Sequence, residues 1–386
     1  MQTRVLMVLE SVFPTPGGGG AESQVRTLGL HLPQRGVAVS VLVPMVGYGP
    51  QVERDRVDGI EVWRIAYPKL RSVGAAVMLV KLAWHLFRVR GDYDFIHAHI
   101  AGNMAAVACV MGRLLGKPVL IKLTGMTEMV GGILDPRAGW SGWVKRHLMR
   151  GADFYQATSS QIARLLVDAG FDAGKVHRIP NAVDTARFAS LARNAEYRLE
   201  VCGDRRLVGV YVGRLEAEKD LELMLRGWAG AFQGREDVAL VLVGSGSRRQ
   251  ALESLATELG IAGQVVFAGP TKTVERFLAI ADLGLLTSRA EGLSNTLLEY
   301  MASGLPVIGS RVSGTEDFVI DGRTGWLFPA GDVAQLRSAL QKAAGLESGE
   351  LRRLGENARQ LVTADASNAA VIGRLLELYG SEGRAR

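Results

Sequence analysis

Four charged side chains in the second half of the chain stand where they can do chemistry together. The apolar run LVGVYVG ends at Gly213 and is followed by Arg214, then LEAE, then Lys219. The run LGLLTS leads into EGLSNTLLE, whose first and last residues are Glu291 and Glu299. Arg offers a bidentate fork and Lys a point charge, so Arg214 and Lys219 just after a strand can hold a diphosphate. Glu291 is expected in the loop before a helix and Glu299 about two turns into it. Both would then lie near one face, roughly 80 degrees apart at 3.6 residues per turn. The amides of Leu293, Ser294, Asn295 and Thr296 would open that helix, and a helix N-terminus donates to phosphate oxygens. Taken singly, each residue has an ordinary reading as a surface charge or a helix-end charge. Their placement after strands of one sheet is what joins them.

The first half offers weaker signals. Gly17 to Gly20 follow the first apolar run, and glycine lets backbone amides approach a phosphate or sugar closely. A flexible turn is the alternative. The segment GGGGAES is not a P-loop, since no Gly-Lys-Ser/Thr follows, and it lacks the third glycine of a dinucleotide fingerprint. Glu22 reads as a helix N-terminal residue. His97 and His99 alternate onto one face at the carboxyl end of DFIHAHI. Such a pair can bind metal, but no third ligand stands nearby, so a structural or acceptor-side role is expected. Asp92 and Asp94 precede that strand rather than end it, and are read as a decoy.

The elements that must position these residues follow from the pattern of apolar runs. RVLMVLE, VAVSVLVPM, IEVWRIA, DFIHAHI, PVLIKLT and DFYQATS are strand candidates in the first half. RLVGVYVG, VALVLVG, QVVFAG, LGLLTS and LPVIGS repeat the theme in the second. Near-continuous apolar strands alternating with helical stretches predict parallel sheets covered on both faces. The fold class expected is α/β, with two doubly wound parallel-sheet, Rossmann-like domains facing across a cleft. Ligands of open α/β sheets bind beyond the carboxyl ends of the strands. The boundary is expected near 182–205, giving domains 1–185 and 200–367. A C-terminal amphipathic helix, about 368–386, can pack on either.

GRLEAEKD, VGSG, EGLSNTLLE and SGTEDFVIDGRTGWLF, in that order, resemble the retaining glycosyltransferases of family 4, which have the GT-B fold. The similarity includes GGGGAES, the HAH of DFIHAHI and IPNAVDTARF, and so covers nearly the whole chain. The resemblance implies that Arg214 and Lys219 bind the donor pyrophosphate, that Glu291 contacts the donor sugar, and that Glu299 binds the ribose hydroxyls. It sets Val243 to Ser245, with Gly244 at the centre, close to the nucleotide base. Gly19 and Gly20 would border the donor phosphate and the transferring carbon. One departure stands out. The family often has a histidine after the strand that here reads PVLIKLTGMTE, and Thr124 or Gly125 takes its place. Lys122 is close but is expected to alternate to the other face. His99 and Thr124 are therefore the acceptor-side candidates.

Composition bounds the rest. The 386 residues are 48% hydrophobic and carry a net charge of +6, which favours anionic partners. Aromatic residues make up only 6% and no nucleic-acid recognition motif appears, so nucleic acid is not expected as a partner. Two cysteines, Cys109 and Cys202, cannot build a disulfide framework or a four-thiolate zinc site. The N-terminal run is too short for a signal peptide, and Lys81 and His85 interrupt the apolar stretch at Val73 to Phe87. The expectation is a cytoplasmic enzyme, with peripheral contact on the inner face of an anionic membrane as a further hypothesis. That hypothesis rests on Arg64, Lys69, Arg71, Lys81, Arg88 and Arg90 around Trp84 and Phe87. Trp140, Trp143, Lys145, Arg146 and Arg150 form a second such patch. The activity expected is retaining, metal-independent transfer from a UDP- or GDP-sugar to a glycan or lipid-linked acceptor, with no cofactor. A nucleotide-sugar epimerase or hydrolase, or a non-catalytic nucleotide-sugar sensor, stands as the alternative.

Overall fold

The computed structural model describes residues 2–15, 19–47, 49–70, 73–129, 131–135, 137–189 and 194–381; Gly17, Gly18 and Arg71, singled out above, lie outside them. The chain divides into two compact units. The first is Met1–Ala182 with Asn368–Arg386, and the second is Val183–Ser367.

In the first unit the chain runs β1 (Thr3–Leu9), α1 (Gly20–His31), β2 (Val37–Pro44), β3 (Arg54–Val57), β4 (Ile60–Ile65), α2 (Val73–Arg88), β5 (Phe95–His99) and α3 (Asn103–Leu115). It continues through β6 (Val119–Leu123), α4 (Met126–Met129), α5 (Gly139–Met149), β7 (Phe154–Ala157), α6 (Ser160–Asp168) and β8 (Val176–Arg178). The second unit holds α7 (Thr185–Ala189), α8 (Ala195–Cys202), β9 (Leu207–Val212), α9 (Leu221–Phe232), β10 (Val238–Val243), α10 (Arg249–Glu258), β11 (Val265–Gly269), α11 (Glu275–Leu278) and β12 (Leu283–Leu286). Then come α12 (Asn295–Ala302), β13 (Val307–Ser310), α13 (Ser313–Phe318), β14 (Gly325–Phe328), α14 (Val333–Gly345) and α15 (Ser348–Ala366), before α16 (Asn368–Ser381) returns to the first unit.

The first sheet has the order β3-β4-β2-β1-β5-β6-β7-β8 and the second β11-β10-β9-β12-β13-β14. Every described pairing is parallel except β3 with β4. All six residues of β10 and all five of β6 are buried. That is the two-sided burial their unbroken apolar runs require. β3 and β8 were not in the sequence reading. β3 is the charged edge segment RDRV, paired with β4 through Asp58-Gly59, both at positive φ. β8 is only three residues long.

Each sheet grows in both directions from its first strand, and this creates a crevice. In the second unit β9 lies between β10 and β12; in the first, β1 lies between β2 and β5. The connections leave to opposite sides at those points, so the loops after β9 and β12, and after β1 and β5, part from one another there.

The helix that follows β12 is fixed by one tyrosine. Tyr300 on α12 is fully buried, and its hydroxyl accepts the Val212 N–H of β9 at 2.6 Å. Its ring fills the space left by Gly284 of β12, where an added Cβ would overlap it. Gly284→Ala is therefore expected to displace Tyr300 and cost about 1–3 kcal/mol. Calorimetry should show a melting temperature lower by several degrees, and an unchanged one would contradict this packing.

Candidate active site

The loops after β9 and β12 are sewn together at the switch point of the second sheet. The Thr287 hydroxyl donates to the carbonyls of Lys219 at 2.9 Å and Asp220 at 3.1 Å. The Arg289 N–H donates to the Glu218 carbonyl at 3.1 Å. Arg289 also grips the buried Asp220 carboxylate, at 2.9 and 3.3 Å, and Asp220 itself has a left-handed φ of 48°. The loop after β10 closes onto the same place. Gly244 has φ 142° and its N–H reaches the Gly269 carbonyl at 2.9 Å, while a Cβ there would overlap the Gly213 carbonyl. Only glycine permits that approach.

Lys219 and Glu291 meet in this frame. Lys219 Nζ forms an ion pair with Glu291 Oε1, and the Ser288 hydroxyl donates to the same oxygen at 2.9 Å. Both charged side chains are mostly covered, 19% and 17% exposed. Arg214 stands apart: it is well exposed and pairs with Glu218 at 2.6 Å. An exposed pair of that kind contributes about 0–1 kcal/mol, so Arg214 is released cheaply to an anion.

Glu291 lies in the loop, four residues ahead of α12. The helical offset expected between Glu291 and Glu299 therefore does not describe them: only Glu299 is on the helix, and it sits in the second turn. Ser294 caps α12, its hydroxyl accepting from the Leu297 N–H at 3.4 Å. Leu293 is buried, and Asn295 and Thr296 form the first turn. Gly314, at the start of α13, donates to the Gly292 carbonyl at 2.5 Å and packs against Leu293. Glu299 is covered beside the Arg187–Glu275 ion pair. Burial first, and then the Glu275 charge, raise its pKa to about 7 against the pull of Arg187. Ser288, Arg187 and Glu275 were missed in the sequence. Of these only Ser288, three residues before Glu291, carried a local signal.

The remaining candidates belong to the first unit. Gly19 caps α1, Gly20 is its first residue, and the Glu22 carboxylate folds back beside Gly19 to take a hydrogen bond from Ser11. Thr124 is turned toward a buried carboxylate, Glu128. That group accepts from the Thr124 hydroxyl at 3.3 Å, the Gly125 N–H at 2.9 Å and the Ala101 N–H at 3.1 Å, tying the loops after β5 and β6 together. His97 and His99 are buried and stacked, with ring centroids 4.1 Å apart. The His97 Nδ1 lies 2.8 Å from the Tyr379 hydroxyl of α16. Lys122 is the direct cross-strand neighbour of His99 and shares its face. Asp94 clamps Arg4 at 2.7 Å, a structural use of the Asp-x-Asp segment. Cys109 and Cys202 are both free and buried.

Comparison with known proteins follows this division. The family model described as Glycosyltransferase Family 4 matches residues 18–187, and that described as Glycosyl transferases group 1 matches 198–361. A GDP-mannose-dependent alpha-mannosyltransferase of Mycolicibacterium smegmatis is 31% identical over 372 residues, covering 94% of this chain and 93% of that protein. The alpha-D-kanosaminyltransferase of Streptomyces kanamyceticus is 29% identical, over 74% of this chain and 76% of its own length. Anabaena HepE in complex with UDP superposes with a TM-score of 0.78 at 19% identity, covering 98% of this chain and all of that one. The sucrose-phosphate synthase of Thermosynechococcus elongatus gives 0.80 at 22% identity, with both chains fully covered.

The Glu299 carboxyl yields a signed test. Its folded pKa, about 7, lies above the roughly 4.3 of an unfolded glutamate. The stability it contributes is whole below the unfolded value and is lost as pH rises through 7. Glu299→Gln abolishes that titration. Urea unfolding should find the variant close to wild type at pH 5 and the more stable of the two at pH 8. The same difference at both values would show that Glu299 does not titrate there.

Proposed function

The chain belongs to glycosyltransferase family 4, and on that premise we propose that it transfers a sugar from a UDP- or GDP-sugar to a glycan or lipid-linked acceptor, with retention at the anomeric carbon and without a metal ion. The observation that carries this reading is the Lys219–Glu291 pair at the switch point, with Arg214 loosely held beside it.

In this reading Lys219 and Arg214 take the donor diphosphate, and the first-turn amides of α12 add to them. Negative charge grows on the departing diphosphate, so cations and dipoles already fixed there lower the barrier. These groups supply the charge stabilisation that a metal ion would otherwise provide. Glu291 orients the donor sugar while it steers Lys219. Glu299, in its ionised form, accepts from two ribose hydroxyls. Gly244 borders the base, and Gly19 and Gly20 border the phosphate and the transferring carbon. His99 and Thr124 stand on the acceptor side. With retention taken from the family, the engagement of one Glu291 oxygen by both Lys219 and Ser288 disfavours a covalent glycosyl intermediate on that carboxylate. Attack by the acceptor hydroxyl from the leaving-group side avoids that intermediate.

Membrane contact is part of the same proposal. No helix among the described residues is long and apolar enough to cross a membrane. Yet α2 buries Gly74, Met78, Leu82 and Leu86 and turns Val80, Trp84 and Phe87 outward, with Trp84 62% exposed. On α5, Trp140 is 77% exposed and stacks on Trp143, with centroids 5.1 Å apart. No acidic residue occurs from Val62 to Gly91, while Lys81, Arg88 and Arg90 flank the apolar side chains. Exposed aromatics rimmed by cations suit the interface of an anionic bilayer.

Lys219→Ala is expected to lower turnover roughly 10²–10³-fold with folding kept. Wild-type activity should survive excess EDTA, and proton NMR of the product should show the donor's anomeric configuration. Near-normal turnover, loss of activity in EDTA, or an inverted product would each refute its part. Release of free sugar without any acceptor would instead indicate a hydrolase. Flotation with anionic vesicles at low salt should carry the protein upward, and Trp140→Ala with Trp143→Ala should weaken this; no flotation would remove the membrane from the account.

A further inference from the structure

The first unit buries a cation that no carboxylate among the described residues balances. Lys122 lies on β6, next to the last residue of the strand, and is 1% exposed. Its cross-strand neighbours are His99 on β5 and Gln156 on β7, and His177 on β8 continues the row. His97, two residues before His99, stacks on it from the same face. Burial alone holds the Lys122 pKa down near 7, with no carboxylate offsetting it, and its charge bears on both histidines. Burial pushes His97 down to about 3, and His99 well below its usual value.

Among the described residues, both ring nitrogens of His99 are buried without a hydrogen-bond partner, while the His97 ring interacts with the Gln156 side chain. Buried polar groups are nearly always paired, and a buried ammonium without a counter-charge is costlier still. A methionine would fill the same volume without that cost. Such costs, gathered at one end of one sheet face, mark a site whose partner comes from outside the chain. The place agrees: His99 ends β5 and pairs with Leu9, which ends β1, at the switch point of the first sheet.

We propose that Lys122, His97 and His99 form a buried oxyanion site at the carboxyl rim of the first sheet, which takes a phosphate group carried by the acceptor. Lys122 supplies the charge, and the single N–H of the neutral His99 imidazole supplies a directed hydrogen bond. The titratable groups facing it are His97 and His99 from β5 and His177 from β8; Tyr379 of α16 reaches the cluster through His97. The proposal rests on the reading that this unit receives the acceptor.

The test uses the full chain with the donor site saturated by UDP and inorganic phosphate as the probe. Phosphate should raise the melting temperature of the wild type at pH 6.5, and progressively less toward pH 9 as Lys122 loses its proton. Lys122→Met should melt no lower than wild type without phosphate, and should lose the response. In turnover assays the variant should raise KM about ten-fold or more for a phosphorylated acceptor sugar, the worth of one charge-assisted hydrogen bond, and leave the unphosphorylated sugar unaffected. If Lys122→Met does not fold, Lys122→Gln serves in its place. A variant that keeps the phosphate response, or that merely melts lower, overturns the proposal. Binding of free phosphate without preference for the phosphorylated sugar overturns the acceptor assignment. Stabilisation by UDP, which Lys122→Met should retain, reports on the donor reading separately.

Discussion

Parallel strands covered by helices on both sides leave polar side chains little room except at the strand ends. β9, β10 and β12 are apolar along their length; the first charged groups past them are Arg214, Arg248 and Arg289, with Lys219 and Glu291 a few residues farther into the loops after β9 and β12. The central strand of each sheet then sends its neighbours' connections to opposite sides, and this alone opens a gap at the rim. Lys219 and Glu291 come from the two loops that part at that gap, so their ion pair spans it. The pair is mostly covered, which strengthens it, and still reachable, so an incoming anion can share the lysine.

Backbone contacts hold the rim in place more than side-chain packing does. Gly244 rests on the Gly213 carbonyl, Gly246 lies against Leu215, and Gly314 touches Gly292 and Leu293. Each contact needs a residue without a Cβ. Loops fixed in this way keep donors and acceptors oriented without reorganisation when a ligand arrives, and that is the condition for electrostatic catalysis. Lys122 on β6 departs from the apolar strand interior together with its neighbours His97 and His99 on β5 and Gln156 on β7, and the want of a counter-charge among the described residues is what makes it informative.

Much of this was legible in the sequence. The apolar runs gave eleven of the fourteen strands, because two-sided burial writes itself as unbroken Val, Leu and Ile. β3 and β8 escaped because edge strands are short, and RDRV is charged. The Asp58-Gly59 pair was the available hairpin signal and went unread. β14 was quoted only as part of a motif. At the candidate site, Lys219 and Glu291 were singled out by type and by their place after strands of one sheet, and the structure brings them into contact. The relation of Glu291 to Glu299 was misjudged, since a loop residue has no place on a helical wheel. The neighbours of Glu299, Arg187 and Glu275, arrive from distant segments, and no local pattern announces them. The nearness of Lys122 to His99 comes from cross-strand register, which the sequence of one strand does not show.

The central claim is that Lys219, steered by Glu291, grips the diphosphate of a nucleotide. Phosphorus NMR of UDP and GDP bound to the wild type and to Lys219→Met examines this without turnover. The account predicts that the β-phosphate resonance of the favoured nucleotide moves on binding the wild type, and that the movement is largely lost in a variant whose amide spectrum remains folded. A β-phosphate resonance that shifts equally in both proteins would contradict it.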